Sequence, residues 1–153
     1  MYDFLEQRAT PRPSTTKPGG HRDDEHHKAE SSAQPRVLVV EDQPDIRKLL
    51  KFLLETRGMQ VATVGDGRSA TEMIDTWPAP DLILMDRMLP YVSGDDLIRQ
   101  VRADETWGKV PIVVVSAKAR SEEIQESMHD GADDYLTKPV KPARLLEMVH
   151  RYV

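Results

Sequence analysis

Three short runs in this sequence contain only apolar residues: VLVV at 37–40, LILM at 82–85 and IVVV at 112–115. A strand with one face in water alternates apolar and polar side chains, so an unbroken run marks a strand covered on both faces. Such strands belong to parallel sheets lying between helices, and each parallel connection has to cross the sheet. VATV at 61–64 and YLT at 135–137 are less uniformly apolar, as edge strands should be.

Helical patterns fill the intervals. Ile46, Leu49, Leu50, Leu53 and Leu54 fall at i, i+3, i+4, i+7 and i+8, with Arg47, Lys48, Lys51 and Glu55 on the other side, and Gly58 supplies the stop. Shorter helices are expected over 67–76, 94–103, 121–130, closed by Gly131, and 142–152, opened by Pro142. Five strands thus alternate with five helices. Short right-handed crossovers make this a doubly wound, flavodoxin-like α/β domain with a five-stranded parallel sheet, for which 2-1-3-4-5 is one of two common strand orders. Its switch point lies between the first and third strands, and a ligand site is expected there, beyond the carboxyl ends.

Composition narrows the alternatives. Of the 153 residues, 1–35 hold several prolines and glycines, many charges and almost no apolar side chain after Leu5. Such a segment cannot offset its ordering entropy by burial, so it is expected to be a flexible polar tail, with 36–153 as the folded domain. His21, His26 and His27 read as part of that solvated tract rather than as a metal site. The absence of cysteine excludes disulfides, thiolate-bound zinc and a cysteine nucleophile. A formal charge of −5 gives no reason to expect nucleic-acid or anionic-membrane binding across the whole surface. No apolar stretch approaches the roughly 18 residues of a membrane span, and the start lacks a secretory signal, so a cytoplasmic location is expected.

The strand ends carry the chemistry. The first ends in Glu41 and Asp42, the third in Asp86, the fourth in Ser116, and the fifth is followed by Lys138 and Pro139. Singly, each has a plain reading as a turn, cap or loop residue. Jointly, turn chemistry does not explain why acidic, hydroxyl and ammonium groups end four strands around one crevice. Three carboxylates about 5 Å apart, at an effective dielectric of about 20, repel by roughly 3 kcal/mol per pair, about 10 kcal/mol in all. One lysine does not neutralise three carboxylates. An all-oxygen ligand set open to water and phosphate favours Mg²⁺ as the relieving cation. A carboxylate beside Mg²⁺, an ammonium and a hydroxyl suits phosphoryl transfer, with Asp86 as nucleophile and Lys138 and Ser116 taking developing charge.

VLVVEDQPDIRKLL, DLILMDRMLPYVSG, PIVVVSAKA and GADDYLTKP, in this order, resemble the receiver domain of bacterial two-component response regulators, of the chemotaxis-receiver kind, over about 36–153. The resemblance implies that Asp86 is phosphorylated by a sensor histidine kinase or a histidine phosphotransfer protein. It implies that Glu41, Asp42, Asp86 and the Met88 backbone carbonyl hold Mg²⁺, and that Ser116 and Lys138 contact the phosphoryl group. Tyr135 would be the aromatic that turns inward when Ser116 moves, and the Lys138–Pro139 bond would be cis. The surface over 121–152 would be read by a downstream protein or a second copy, giving a monomer or a phosphorylation-dependent dimer.

Further implications follow from the resemblance. Met88 and Lys118 stand where the family tunes phosphoryl lifetime, and neither activates water, which implies slow self-hydrolysis. Arg144 and Met148 replace the Glu and Arg through which receivers joined to winged-helix domains tend to dimerise. The chain ending at Val153 is expected to carry no output domain, as a stand-alone receiver or a fragment of a longer regulator, so no direct nucleic-acid or membrane binding is expected. A small-molecule phosphatase would usually carry a second Asp at position 88; a pseudo-receiver acting only as a protein-binding module is the other alternative, and the complete acidic, hydroxyl and lysine set argues against it. The protein is therefore expected to be a signalling domain with self-phosphorylation and self-dephosphorylation chemistry rather than an enzyme.

Overall fold

The structure, a computed structural model, describes residues 33–153. The tail expected at 1–35, histidines included, lies outside them apart from residues 33–35. From there the elements alternate strictly: β1 (Arg36–Val40), α1 (Pro44–Glu55), β2 (Gln60–Val64), α2 (Gly67–Thr76), β3 (Leu82–Met85), α3 (Gly94–Ala103), β4 (Ile112–Ser116), α4 (Ser121–Asp130), β5 (Asp134–Thr137) and α5 (Pro142–His150). All four strand pairings are parallel, in the order β2-β1-β3-β4-β5.

The apolar runs are unbroken because the sheet has two dry faces. Val37, Val39, Leu82, Leu84, Val113 and Val115 pack with Leu50 and Leu54 of α1 and Leu145, Met148 and Val149 of α5. The alternate residues Leu38, Val40, Ile83, Met85, Ile112 and Val114 pack on the other face with α2 and α3. Successive strand residues point to opposite faces, so each run feeds both cores.

Local chemistry sets the helix ends. Asp66 caps α2 by accepting from the Ser69 amide at 2.7 Å, and Ser93 caps α3 by accepting from the Asp96 amide at 3.2 Å. Gly58 takes a φ of +81° after α1, a conformation that suits glycine.

Three expectations are corrected. The last helix ends at His150 rather than 152, because the chain turns there and the Tyr152 hydroxyl donates to Asp134 of β5 at 3.1 Å. On α1, Leu50 and Leu54 are buried but Leu49 stays exposed, since the helix meets the sheet along a narrower line than its apolar stripe. Arg47 does not sit on a purely solvated side either; it reaches the carboxyl end of β1.

Candidate functional site

Register brings the acidic residues together. Val40 lies opposite Met85 in the β1–β3 pair, so Glu41 and Asp86 leave the sheet side by side. Backbone bonds then hold each strand exit. The Glu41 amide donates to the Val64 carbonyl at 3.1 Å, the Asp86 amide to Val40 at 2.9 Å and the Lys138 amide to Ser116 at 2.9 Å. Arg47 of α1 donates to the Glu41 carbonyl at 2.7 Å and to that of Asp42 at 3.4 Å, fixing the turn from the far side. The Lys138–Pro139 bond is cis, as the resemblance implies.

A close backbone approach completes the frame. A Cβ on Gly94 would stand 2.3 Å from the Asp86 carbonyl oxygen, so only glycine lets α3 start against the end of β3. The Gly94 amide in turn donates to the Arg87 carbonyl at 2.9 Å. Tyr91, in the same loop, takes a φ of +71° although it is not glycine.

Within this frame Glu41 and Asp86 are buried, while Asp42 is exposed. One carboxylate oxygen from each of the three lies within 4.8 Å of the others. The Lys138 ammonium donates to Glu41 Oε2 at 2.8 Å and to Asp86 Oδ2 at 2.7 Å. The Met88 amide donates to Asp86 Oδ1 at 3.0 Å, and Met88 itself is exposed. Ser116, fully buried at the end of β4, accepts from the Lys118 amide at 3.2 Å. The half-buried Tyr135 ring packs beside the core, and its hydroxyl donates to the Lys118 carbonyl.

Electrostatics explain the pairing. Burial pushes the Glu41 carboxyl above its ordinary value; the Lys138 bond opposes this, and Asp86 nearby adds to it. For Lys138, burial works against the charge, yet the bonds to Asp86 and Glu41 outweigh it and its pKa is raised. The ammonium therefore stays charged while serving two acids, and Asp42 is left without it. An all-oxygen donor set with charge beyond what one lysine neutralises fits a hard divalent cation. The structure thus gathers Glu41, Asp42, Asp86 and Lys138, and sets Ser116 and Tyr135 on the neighbouring strands. Arg47 and Gly94 were missed: a charged residue at a helical spacing reads as a solvated face, and a glycine after a serine reads as a turn.

A doubly wound sheet with this cluster at its switch point defines a receiver-type signalling domain. Comparison with known proteins agrees, since the family model for the response regulator receiver domain matches residues 37–150. The chain belongs to the response regulator receiver family of two-component systems. It is 40% identical over 114 residues to the DNA-binding response regulator MtrA of Mycolicibacterium smegmatis, covering 74% of this chain and 48% of that protein. It is 38% identical over 114 residues to the phosphate regulon transcriptional regulatory protein PhoB of Escherichia coli, covering 74% of this chain and 49% of that protein. The chain thus spans about half the length of these relatives.

Among solved structures, the receiver domain of the sensor histidine kinase PA1611 from Pseudomonas aeruginosa, with a magnesium ion coordinated in its active site cleft, is 33% identical. The match has a TM-score of 0.72 and covers 78% of this chain and 98% of that one. The chemotaxis response regulator CheY4 of Vibrio cholerae matches with a TM-score of 0.74 at 29% identity, over 79% of this chain and 100% of that one. Among the described residues no helix is long and apolar enough to cross a membrane.

Proposed function

We propose that Asp86 accepts a phosphoryl group from the phosphohistidine of a sensor histidine kinase or histidine phosphotransfer protein. The observation that carries this reading is the Lys138 ammonium bonded to both Asp86 and Glu41 at the switch point, with Asp42 alongside. An Asp86 carboxylate oxygen attacks phosphorus in line. The P–N bond breaks and its electron pair leaves with the imidazole, which departs neutral once it carries a proton. Lys138 holds Asp86 in place and, with the Ser116 hydroxyl, takes the charge that develops on the phosphoryl oxygens. Mg²⁺, held by Glu41, Asp42, Asp86 and the Met88 carbonyl, would supply further charge neutralisation for carboxylate and phosphoryl oxygens. The buried parts of the site keep these groups in fixed orientation.

Signalling follows as a population shift. An acyl phosphate carries more negative charge and more acceptor oxygens than a carboxylate, which favours Ser116 drawn toward it and Tyr135 turned into the space. The face built from 121–152 then changes and is read by a protein partner or a second copy, in the cytoplasm. DNA binding by MtrA is a property of that longer protein; this domain's part is the switch. Met88 and Lys118 offer no general base, so the acyl phosphate hydrolyses slowly. The test is intact mass after incubation with Mg²⁺ and acetyl phosphate. One stable added phosphoryl group, lost in Asp86→Asn, is the expected result; continuous phosphate release or no adduct contradicts it.

A further inference from the structure

Among the five helices of the described residues, α4 alone places no side chain in either apolar core. Its one fully buried residue is Ser127, a polar one. Polar bridges dock it instead. The Ser127 hydroxyl donates to Asp95 Oδ1 at 2.8 Å, and Asp95 Oδ2 accepts from Arg87 Nε at 2.8 Å. A second nitrogen of the same guanidinium pairs with Glu126 of α4. Arg99 of α3 reaches Asp130 at 2.9 Å near the end of α4.

Arg87 is the residue immediately after Asp86, and its side chain is only 13% exposed. Its carbonyl is also held by the Gly94 amide, so the loop that carries Asp86, the start of α3 and the middle of α4 meet at this one residue.

We propose that Arg87 is a positioning residue that, through Glu126 and the Asp95–Ser127 bond, holds α4 in the placement belonging to unmodified Asp86. The proposal rests on the reading of Asp86 as the phosphoryl acceptor. Ser116 ends β4 and α4 begins at Ser121, so drawing Ser116 toward a phosphoryl group pulls on a short linker and then on α4. The bridges to α3 and Arg87 oppose that pull. Packed apolar helices shift only at the cost of their interdigitation, whereas partly exposed ion pairs exchange for water at little net cost. The Arg87–Glu126 and Arg99–Asp130 pairs are of the second kind, and with only the buried Ser127–Asp95 hydrogen bond beside them, α4 is the helix the site can most readily move. Its release and phosphoryl binding are then linked, and linkage is reciprocal: loosening the helix must tighten the binding.

The test uses the full chain in Mg²⁺, with fluoroberyllate as the phosphoryl analogue and hydrogen exchange reporting on 121–130. Glu126 has a side chain 63% exposed, so Glu126→Gln leaves the cores untouched. The amides of α4 are expected to exchange about twofold to fivefold faster in this variant, the range of a partly exposed ion pair. Fluoroberyllate is expected to bind it more tightly by a similar factor, a gain that a merely structural contact does not produce. In an Arg87→Gln background, Glu126→Gln has no further effect, because its partner is already gone. Equal or weaker fluoroberyllate affinity in Glu126→Gln, with the wild type binding normally, overturns the proposal. Failure of the wild type itself to bind overturns the reading of Asp86 and the proposal with it.

Discussion

Lys138 is the residue on which the site's balance turns, since one ammonium serves two buried or nearly buried acids. Replacing it with Met removes a donor aimed at the proposed phosphoryl acceptor, Asp86, and losses from such deletions run to about 100-fold or more. Lys138→Met should therefore slow Asp86 phosphorylation by acetyl phosphate to that degree, measured as the rate of mass gain. Glu41 gives a pH signature. Its carboxyl is pushed above 4.5, first by burial and then by Asp86, against the Lys138 bond. The folded protein thus holds this proton to higher pH than the unfolded chain does. The stabilising contribution is fully present below about 4.5 and is lost as pH rises through the folded pKa. With metal chelated, the stability of wild type minus that of Glu41→Gln, from urea midpoints, should fall over that window and then level off. A difference that rises with pH contradicts the assigned cause.

At the scale of elements, the site depends on how closely α3 approaches the end of β3. A methyl at Gly94 would meet the Asp86 carbonyl at 2.3 Å, and overpacking of this kind costs about 1–3 kcal/mol. Gly94→Ala should lower the thermal midpoint and also slow phosphorylation, because the clash falls on the backbone of the proposed acceptor, Asp86. Leu84→Ala, deep in the sheet, should cost about 2–5 kcal/mol yet still yield a singly phosphorylated product. The strands and most helices were legible in the sequence because dry faces demand unbroken apolar runs and because Gly58, Gly131 and Pro142 punctuate the helices locally; the Asp66 and Ser93 caps emerge only in the structure. What was not legible depends on packing between elements distant in the chain. Arg47 turning to the Glu41 carbonyl, Leu49 left exposed, Tyr91 with positive φ and the polar docking of α4 through Ser127 all arise after assembly, and no periodicity encodes them.

For the whole molecule, the order β2-β1-β3-β4-β5 converts residues far apart in the chain into neighbours: Lys138 and Glu41 are 97 positions apart and in contact. The strand ends were readable as one site because parallel strands all deliver their carboxyl ends to the same edge of the sheet. Their mutual bonds were not readable, since these depend on register. A ligand bound only by the folded state raises its stability in proportion to the logarithm of concentration over Kd. Mg²⁺ should therefore raise the unfolding midpoint of the wild type and do so far less in Asp42→Asn with Glu41→Gln. The central claim, that Asp86 is the residue that takes the phosphoryl group, is tested most directly by its chemistry. Borohydride reduces an aspartyl phosphate to homoserine, which peptide sequencing by mass spectrometry locates. After Mg²⁺ and acetyl phosphate, homoserine should stand at position 86; homoserine at another aspartate, Asp42 included, or at none contradicts the account.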